Sequence, residues 1–166
     1  MTVGCGSVGS ECARRYKALG CRVLGVDLYP TENELYEKIY PLSVLPSVLS
    51  VSDAVILTLP LTDETRGLFD GEMLSHMKNT AVLINISRGA VVDEDALTAA
   101  LSEKKLYGAV LDVFESEPLS QDSPLWDMEN VVITPHNSFV SEKNSERLFS
   151  VIYGNLRGFL KGDKAE

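Results

Sequence analysis

The sequence has no long apolar run. Its hydrophobic stretches are strand-sized and no basic segment followed by an apolar one opens the chain, so a helical membrane span and a secretory signal are both excluded and a cytoplasmic protein is expected. It is also short of cations, with 15 Lys and Arg against 24 Asp and Glu for a formal charge of −9. Nucleic acids and anionic membranes demand clustered Lys and Arg to replace counterions, so neither is an expected partner. Cysteine is scarce: Cys5, Cys12 and Cys21 are odd in number and form no CxxC pair, which argues against a disulfide frame or a zinc site. The three are expected as buried, reduced thiols, and no metal is expected. Internal repeats and low-complexity tracts are absent. What remains, 166 residues of which 45% are hydrophobic and 23% charged, is the composition of an ordinary globular domain with one core and a small-molecule or protein partner.

The apolar residues are organised as short runs separated by helical patterns. "CRVLGVD" (21 to 27), "DAVILTLP" (53 to 60), "TAVLINIS" (80 to 87), "YGAVLDVF" (107 to 114) and "NVVITPH" (130 to 136) are continuous and too short for helices, so they read as strands buried on both faces. Between them, Asp70 is placed to cap "GEMLSHMK" and Asp93 to cap "EDALTAALSEKK". Val8, Cys12, Tyr16 and Leu19 form a helical stripe that Gly20 ends. Residues 28 to 52, interrupted by Pro30, Pro41 and Pro46, predict loop, a short strand near Ile39 and one short helix. Strands alternating with helices imply a parallel sheet covered on both faces. A last helix from Ser141 to Leu160 carries a wide stripe of Leu148, Phe149, Ile152, Leu156, Phe159 and Leu160, which requires a cover, and "KGDKAE" reads as a tail.

Against this background the opening stretch "VGCGSVGSECARR" gains meaning. Its glycines, Gly4, Gly6 and Gly9, are spaced GxGxxG and open a predicted helix, and Asp27 follows 18 positions after Gly9 at the end of the next strand. A dinucleotide needs this arrangement: Gly4 for the tight turn, Gly6 for approach of the pyrophosphate, Gly9 for helix-on-strand packing, with the amides near Ser7 and Val8 aimed at the phosphates. Asp27 would accept hydrogen bonds from the ribose hydroxyls and repel a 2′-phosphate, so NAD is the expected cofactor rather than NADP. Only three residues precede Gly4, although the strand feeding such a turn normally has about five.

Three further segments, "NISRGA" (85 to 90), "DVFESEP" (112 to 118) and "TPHNS" (134 to 138), fall at carboxyl ends of predicted parallel strands, where ligands bind. Arg88 offers a planar fork of donors for a carboxylate. An unperturbed imidazole exchanges its proton near neutrality, so a histidine at position 136 suits proton exchange with a hydroxyl, and Glu117 suits holding the imidazole in one tautomer and stabilising its charged form.

With these segments, and with "LPLTDETRGLF" (59 to 69) and "VVDEDALTAAL" (91 to 101), the chain resembles the NAD-binding domain of the D-isomer-specific 2-hydroxyacid dehydrogenases from about Thr2 to about Ser138. The resemblance implies catalytic roles for Arg88, Glu117 and His136. It also implies cofactor contacts from Leu59, Pro60, Ile86, Ser87, Arg88, Asp112 and His136, beside those already read for Gly4, Gly6, Ser7, Val8, Gly9 and Asp27.

The implied fold is α/β, a Rossmann-type doubly wound parallel sheet, with the family's second, substrate domain largely absent. Residues 1 to 140 form the NAD(P)-binding domain, and 141 to 166 a helix and tail left from the segment that packs on the substrate domain. The implied function is hydride transfer between NAD(H) and a small 2-hydroxy or 2-oxo acid in a homodimer. Because the family's active site lies in the cleft between domains, this chain alone is expected to bind NAD and turn over poorly. The alternative is a non-catalytic NAD-binding sensor or interaction module of the co-repressor type. Thr58, where "HLP" is more usual in the family, reads as a tolerated change, and "NSFVSEKN" after His136 leaves the choice of acid open.

Overall fold

Each short apolar run contains a strand. The computed structural model describes residues 1 to 162 and contains β1 (Thr2–Val3), β2 (Leu24–Asp27), β3 (Lys38–Pro41), β4 (Ala54–Leu57), β5 (Val82–Asn85), β6 (Gly108–Leu111) and β7 (Val131–Ile133). They form one sheet in the order β3-β2-β1-β4-β5-β6-β7, and every pairing is parallel. The unbroken apolar runs have a physical reason: Val55, Ile56 and Leu57 of β4 are all buried, as a strand covered on both faces requires. The edge strands β3 and β7 are only partly covered.

The brevity of β1 resolves itself in the ladder. Thr2 pairs with both Gly25 and Ile56, and Val3 with both Val26 and Leu57. Pairing extends past the strand's ends, since Gly4 donates its amide to the Val26 carbonyl at 2.8 Å, Ile56 to Met1 at 3.0 Å and Thr58 to Val3 at 2.9 Å. Two residues flanked on both sides thus form a central strand. From β1 the chain steps outward to β2 and β3, crosses back to β4 on the other side of β1, and continues to β7. The strand order therefore reverses between β1 and β4, where open parallel sheets form a ligand crevice at their carboxyl ends.

The helices are α1 (Ser7–Ala18), α2 (Leu45–Leu49), α3 (Gly71–Ser75), α4 (Glu94–Ser102) and α5 (Asn144–Lys161), with single 3₁₀ turns at Leu42–Val44, Gly89–Val91 and Pro124–Asp127. Asp70 and Asp93 cap α3 and α4 as their sequence positions predict, accepting the amides of Met73 at 2.8 Å and Ala96 at 2.9 Å. Residues 28 to 52 fold into loop, β3 and α2, with Pro41 closing the strand and Pro46 in the first turn of the helix.

Two expectations require correction. The buried face of α1 is Gly9 and Ala13, while Val8 and Leu19, the ends of the predicted stripe, are 56% and 77% exposed. Close approach of helix to sheet selects small side chains at the centre of the contact; Cys12 and Tyr16 stay half-buried beside it, Tyr16 against the Ala13 cluster, and the two ends of the stripe turn outward. The cysteines are free but not all buried: Cys5 and Cys12 are half-buried, and Cys21 is exposed in the loop that follows α1.

The main core runs from Val3 and Val26 through Leu45, Leu57, Phe69 and Leu83 to Leu97, Leu111 and Leu125. A smaller cluster of Ala13, Val23 and Tyr36 lies under α1. Full burial of each such Val or Leu contributes about 1.5–3 kcal/mol, which fixes the strand ends that carry the polar residues.

The chain divides into two compact units, Met1–His136 and Asn137–Glu166. The second consists largely of α5, which starts at Asn144 rather than at Ser141 and has no buried residue. Leu148, Phe149, Ile152, Leu156, Phe159 and Leu160 are all exposed, and the Phe149 and Tyr153 rings stack with centroids 5.9 Å apart. The last four residues of the expected tail, Asp163 to Glu166, lie outside the described residues. No helix among the described residues is long and apolar enough to cross a membrane.

Candidate functional site

The glycine turn between β1 and α1 is built by three different constraints. Gly4 has φ +95°, and a Cβ there would lie 2.8 Å from the Thr58 carbonyl oxygen. At Gly9 a Cβ would lie 2.1 Å from the Gly4 carbonyl oxygen, so the helix rests directly on the turn. At Gly6 a Cβ would meet nothing within 4 Å. The protein itself does not require a glycine at that position, and the open space lies where a pyrophosphate would approach the backbone. This cradle fits a dinucleotide.

The start of α1 supports the same fit. Gly6, its N-cap, has no side chain to bond the first turn, and that turn contains no acid. First-turn amides have no intrahelical acceptor and carry the positive end of the helix dipole, so the turn at Gly6, Ser7 and Val8 has the electrostatics that suit an anion. Across the turn, Asp27 ends β2 with both carboxylate oxygens oriented: Oδ2 accepts the Cys5 amide at 2.7 Å and Oδ1 the Tyr29 amide at 3.0 Å. Thr58, read from sequence as a tolerated change, donates its hydroxyl to the Gly4 carbonyl at 2.7 Å and so braces the turn. Leu59 and Pro60 continue from it at the end of β4, and the Pro60 carbonyl accepts the Thr65 hydroxyl at 2.8 Å.

At the end of β5 the loop bearing Arg88 folds around Asn85. The Asn85 side chain accepts from the Ser87 amide at 3.1 Å and the Ser87 hydroxyl at 2.8 Å, and donates to the Arg88 carbonyl at 3.1 Å. Asn85 is a functional residue beyond those the sequence reading names, and its signal is an Asn at a strand end before a tight turn. Ser87 is buried, Ile86 half-buried and Arg88 exposed, with Nη1 donating to the Ser87 carbonyl at 2.6 Å. Gly89 then passes so close to the next loop that a Cβ would lie 1.8 Å from the Phe114 carbonyl carbon. This contact ties the Arg88 loop to the 112 to 118 loop, which is further pinned where the Glu115 amide donates to Glu94 Oε2 at 3.2 Å.

Glu117 closes the arrangement. Its Oε1 accepts the Phe114 amide at 3.1 Å and its Oε2 lies 2.7 Å from His136 Nδ1. The hydrogen bond to His136 holds the Glu117 carboxyl below the usual glutamate range, opposed by partial burial and assisted by the Phe114 amide and by the charges of His136 and Arg88. His136 has φ +49°, a left-handed conformation uncommon for a residue with a side chain. Asp112, one residue beyond β6, is 1% exposed and receives the Thr134 hydroxyl at 2.5 Å.

Glu117 and His136 are therefore in direct contact, with the Arg88 charge felt at Glu117, and all three lie at strand carboxyl ends. Gly4, Gly6, Gly9 and Asp27 cluster at the same edge around the β1 turn. A separate cavity of about 460 Å³, lined by Asn79, Leu101, Tyr107 and Asn130 among others, lies at the amino ends of β5 to β7, the edge opposite this chemistry. Among the described residues no three His, Cys, Asp or Glu side chains converge as a metal would require.

A family model described as D-isomer specific 2-hydroxyacid dehydrogenase, NAD binding domain, matches residues 1–138. The chain is 42% identical over 163 residues to a glyoxylate reductase of Korarchaeum cryptofilum, covering 97% of this chain and 48% of that protein. It is 40% identical over 156 residues to an (S)-sulfolactate dehydrogenase of Chromohalobacter salexigens, covering 93% and 50%. Among solved structures, a D-isomer specific 2-hydroxyacid dehydrogenase from Xanthobacter autotrophicus Py2 in complex with NADPH and MES gives a TM-score of 0.92 at 39% identity, over 99% of this chain and 67% of that one. The chain spans about half the length of the curated relatives it matches.

Proposed function

Because the chain belongs to the D-isomer specific 2-hydroxyacid dehydrogenase family through its NAD-binding domain, we propose that it is the cofactor-binding part of an oxidoreductase that passes a hydride between NAD(H) and a small 2-hydroxy or 2-oxo acid. The observation that carries this reading is the 2.7 Å contact of Glu117 with His136 at the sheet edge that also presents the open glycine turn.

In this reading residues 1 to 140 hold the cofactor. Gly6, Ser7 and Val8 bind the pyrophosphate through backbone amides, Asp27 binds the adenosine ribose, and Leu59, Pro60, Ile86, Ser87 and Asp112 line the nicotinamide half. When bound, the nicotinamide ring donates or accepts the hydride. Arg88 grips the carboxylate of the acid with two parallel hydrogen bonds and fixes its face toward the ring. An ionised carboxylate only accepts hydrogen bonds, so Glu117 places the proton of the neutral imidazole on Nδ1. Nε2 of His136 is then the nitrogen that takes the hydroxyl proton during oxidation and returns it during reduction. Glu117 supports the charge this creates on the ring.

Asp27 also favours NAD over NADP, since a 2′-phosphate would meet a carboxylate already held in place by two amides. That choice differs from the ligand named for the Xanthobacter autotrophicus structure, NADPH. Three free cysteines suit a reducing, cytoplasmic setting, and a homodimer through the cofactor domains completes the reading. The relatives carry dehydrogenase and reductase names, which lend the co-repressor alternative no support.

Fluorescence titration of the chain with NADH and NADPH is the test, followed by NADH oxidation with a panel of 2-oxo acids including glyoxylate and hydroxypyruvate. NADH should bind more tightly than NADPH, with slow turnover by the chain alone. Absence of NADH binding would end this reading.

A further inference from the structure

Thr134 is bonded to both Asp112 and His136. The Thr134 amide donates to the carbonyl of Leu111, the last residue of β6, at 2.9 Å. Its hydroxyl donates to Asp112 Oδ1 at 2.5 Å, and its carbonyl accepts the His136 amide at 3.1 Å. One residue at the end of β7 thus joins the carboxylate at the end of the neighbouring strand to the histidine two positions further along the chain.

Both of its partners need holding. Asp112 is 1% exposed, and a carboxylate is costly to bury unless hydrogen bonds replace the water it has lost. A threonine hydroxyl has one proton to give, and here it goes to Asp112, which fixes the rotation of that carboxylate about its own bond. His136 sits at φ +49°, a conformation that is costly for a side-chain-bearing residue and persists only where its surroundings enforce it. The Thr134 carbonyl grips the His136 backbone, and Glu117 grips its ring.

We propose that Thr134 is a positioning residue that couples the two sides of the reaction centre. Its hydroxyl orients Asp112 toward the nicotinamide end of the cofactor, and its carbonyl keeps His136 in the backbone conformation that brings its ring to Glu117. The proposal rests on the cofactor site assigned above, and its test separates the two.

Thr134→Val keeps the branched shape and the carbonyl but removes the hydroxyl, and Thr134→Ser restores it. In NADH titrations of the chain, Thr134→Val should lose about tenfold in affinity, the effect of one hydrogen bond to a charged group. ADP-ribose, which lacks the nicotinamide, should bind wild type and Thr134→Val equally, and this also reports that the variant is folded. Thr134→Ser should return NADH affinity to within about twofold of wild type, and on an Asp112→Asn background Thr134→Val should add little further loss, as two members of one pathway do.

Unchanged NADH affinity in Thr134→Val, a parallel loss of ADP-ribose, a serine variant as weak as the valine one, or fully additive losses with Asp112→Asn would each overturn the proposal. Where the valine methyl is not accommodated, Thr134→Ala gives the same reading with less bulk. Wild-type chain that binds neither ligand would instead overturn the cofactor site itself.

Discussion

The two halves of the sheet edge prepare for a ligand in opposite ways. At the β1 end, helix α1 begins with a glycine cap and no first-turn acid, and a Cβ on Gly6 would stand in open space. At the β5 to β7 end, the chain answers its own polar groups: Asp93 caps α4 with Glu94 and Asp95 beside it, Asn85 bonds the Arg88 loop, Thr134 bonds Asp112 and Glu117 bonds His136. On the proposed function this contrast has a reason: phosphates are charged and need only donors left unanswered, as at the β1 end. Proton transfer depends on which atom carries a proton and where it points, which suits the β5 to β7 end, arranged in advance.

The largest break in this comparison comes from His136→Asn. Asparagine tolerates the left-handed backbone but exchanges no proton, so turnover should fall by about 10²–10⁴-fold in any form of the protein that turns over, with a far smaller change in NADH affinity. Rapid-mixing measurement of NADH oxidation checks it, and a variant with ordinary rates would remove His136 from the chemistry.

Next in size is a contrast within one turn. Gly9→Ala forces a Cβ to 2.1 Å from the Gly4 carbonyl oxygen and should destabilise the fold by about 3 kcal/mol in urea unfolding. Gly6→Asp meets no such obstacle and supplies α1 with the carboxylate cap it lacks, so stability should hold or rise by a few tenths of a kcal/mol while NADH affinity collapses. Equal NADH affinity in Gly6→Asp would show that the open amides are not the phosphate site. The corresponding change on the other half, Asp93→Ala, should cost about 1 kcal/mol of stability and leave NADH affinity unchanged, because that cap serves only the helix.

The same contrast explains what was legible in the sequence. The strands were legible because burial on both faces writes them as unbroken apolar runs, and the Asp70 and Asp93 caps because capping depends on local order along the chain. The GxGxxG spacing and its acid were legible for the same local reason. Features that depend on distant segments were not. The buried face of α1 is chosen by how closely Gly9 and Ala13 approach the sheet, so a search for large apolar side chains selected Val8 and Leu19 instead. Thr58 read as a tolerated change because nothing nearby in sequence reveals the Gly4 carbonyl its hydroxyl meets. Glu117 is different: the resemblance assigns it to the histidine, and the fold supplies the reason, sending its side chain to His136 while the neighbouring Glu115 gives its amide to Glu94.

The smallest effect tests whether the chemical half is as firmly arranged as its contacts imply. Glu117 is held below the usual glutamate range, first by the His136 hydrogen bond and also by the Phe114 amide and the Arg88 charge. A carboxyl lowered on folding stabilises the folded state fully above its unfolded range, near pH 4.3, and that contribution disappears as pH falls through the lowered value. The side chains of the pair remain 39% and 36% exposed, so solvent screening limits the contribution to below about 1 kcal/mol. Glu117→Gln should therefore lie slightly below wild type in urea unfolding at neutral pH and converge with it as pH falls below the ordinary carboxylate range. A difference that is constant across this range would mean that Glu117 acts as a neutral hydrogen-bond acceptor, and the tautomer assigned to His136 would lose its electrostatic support.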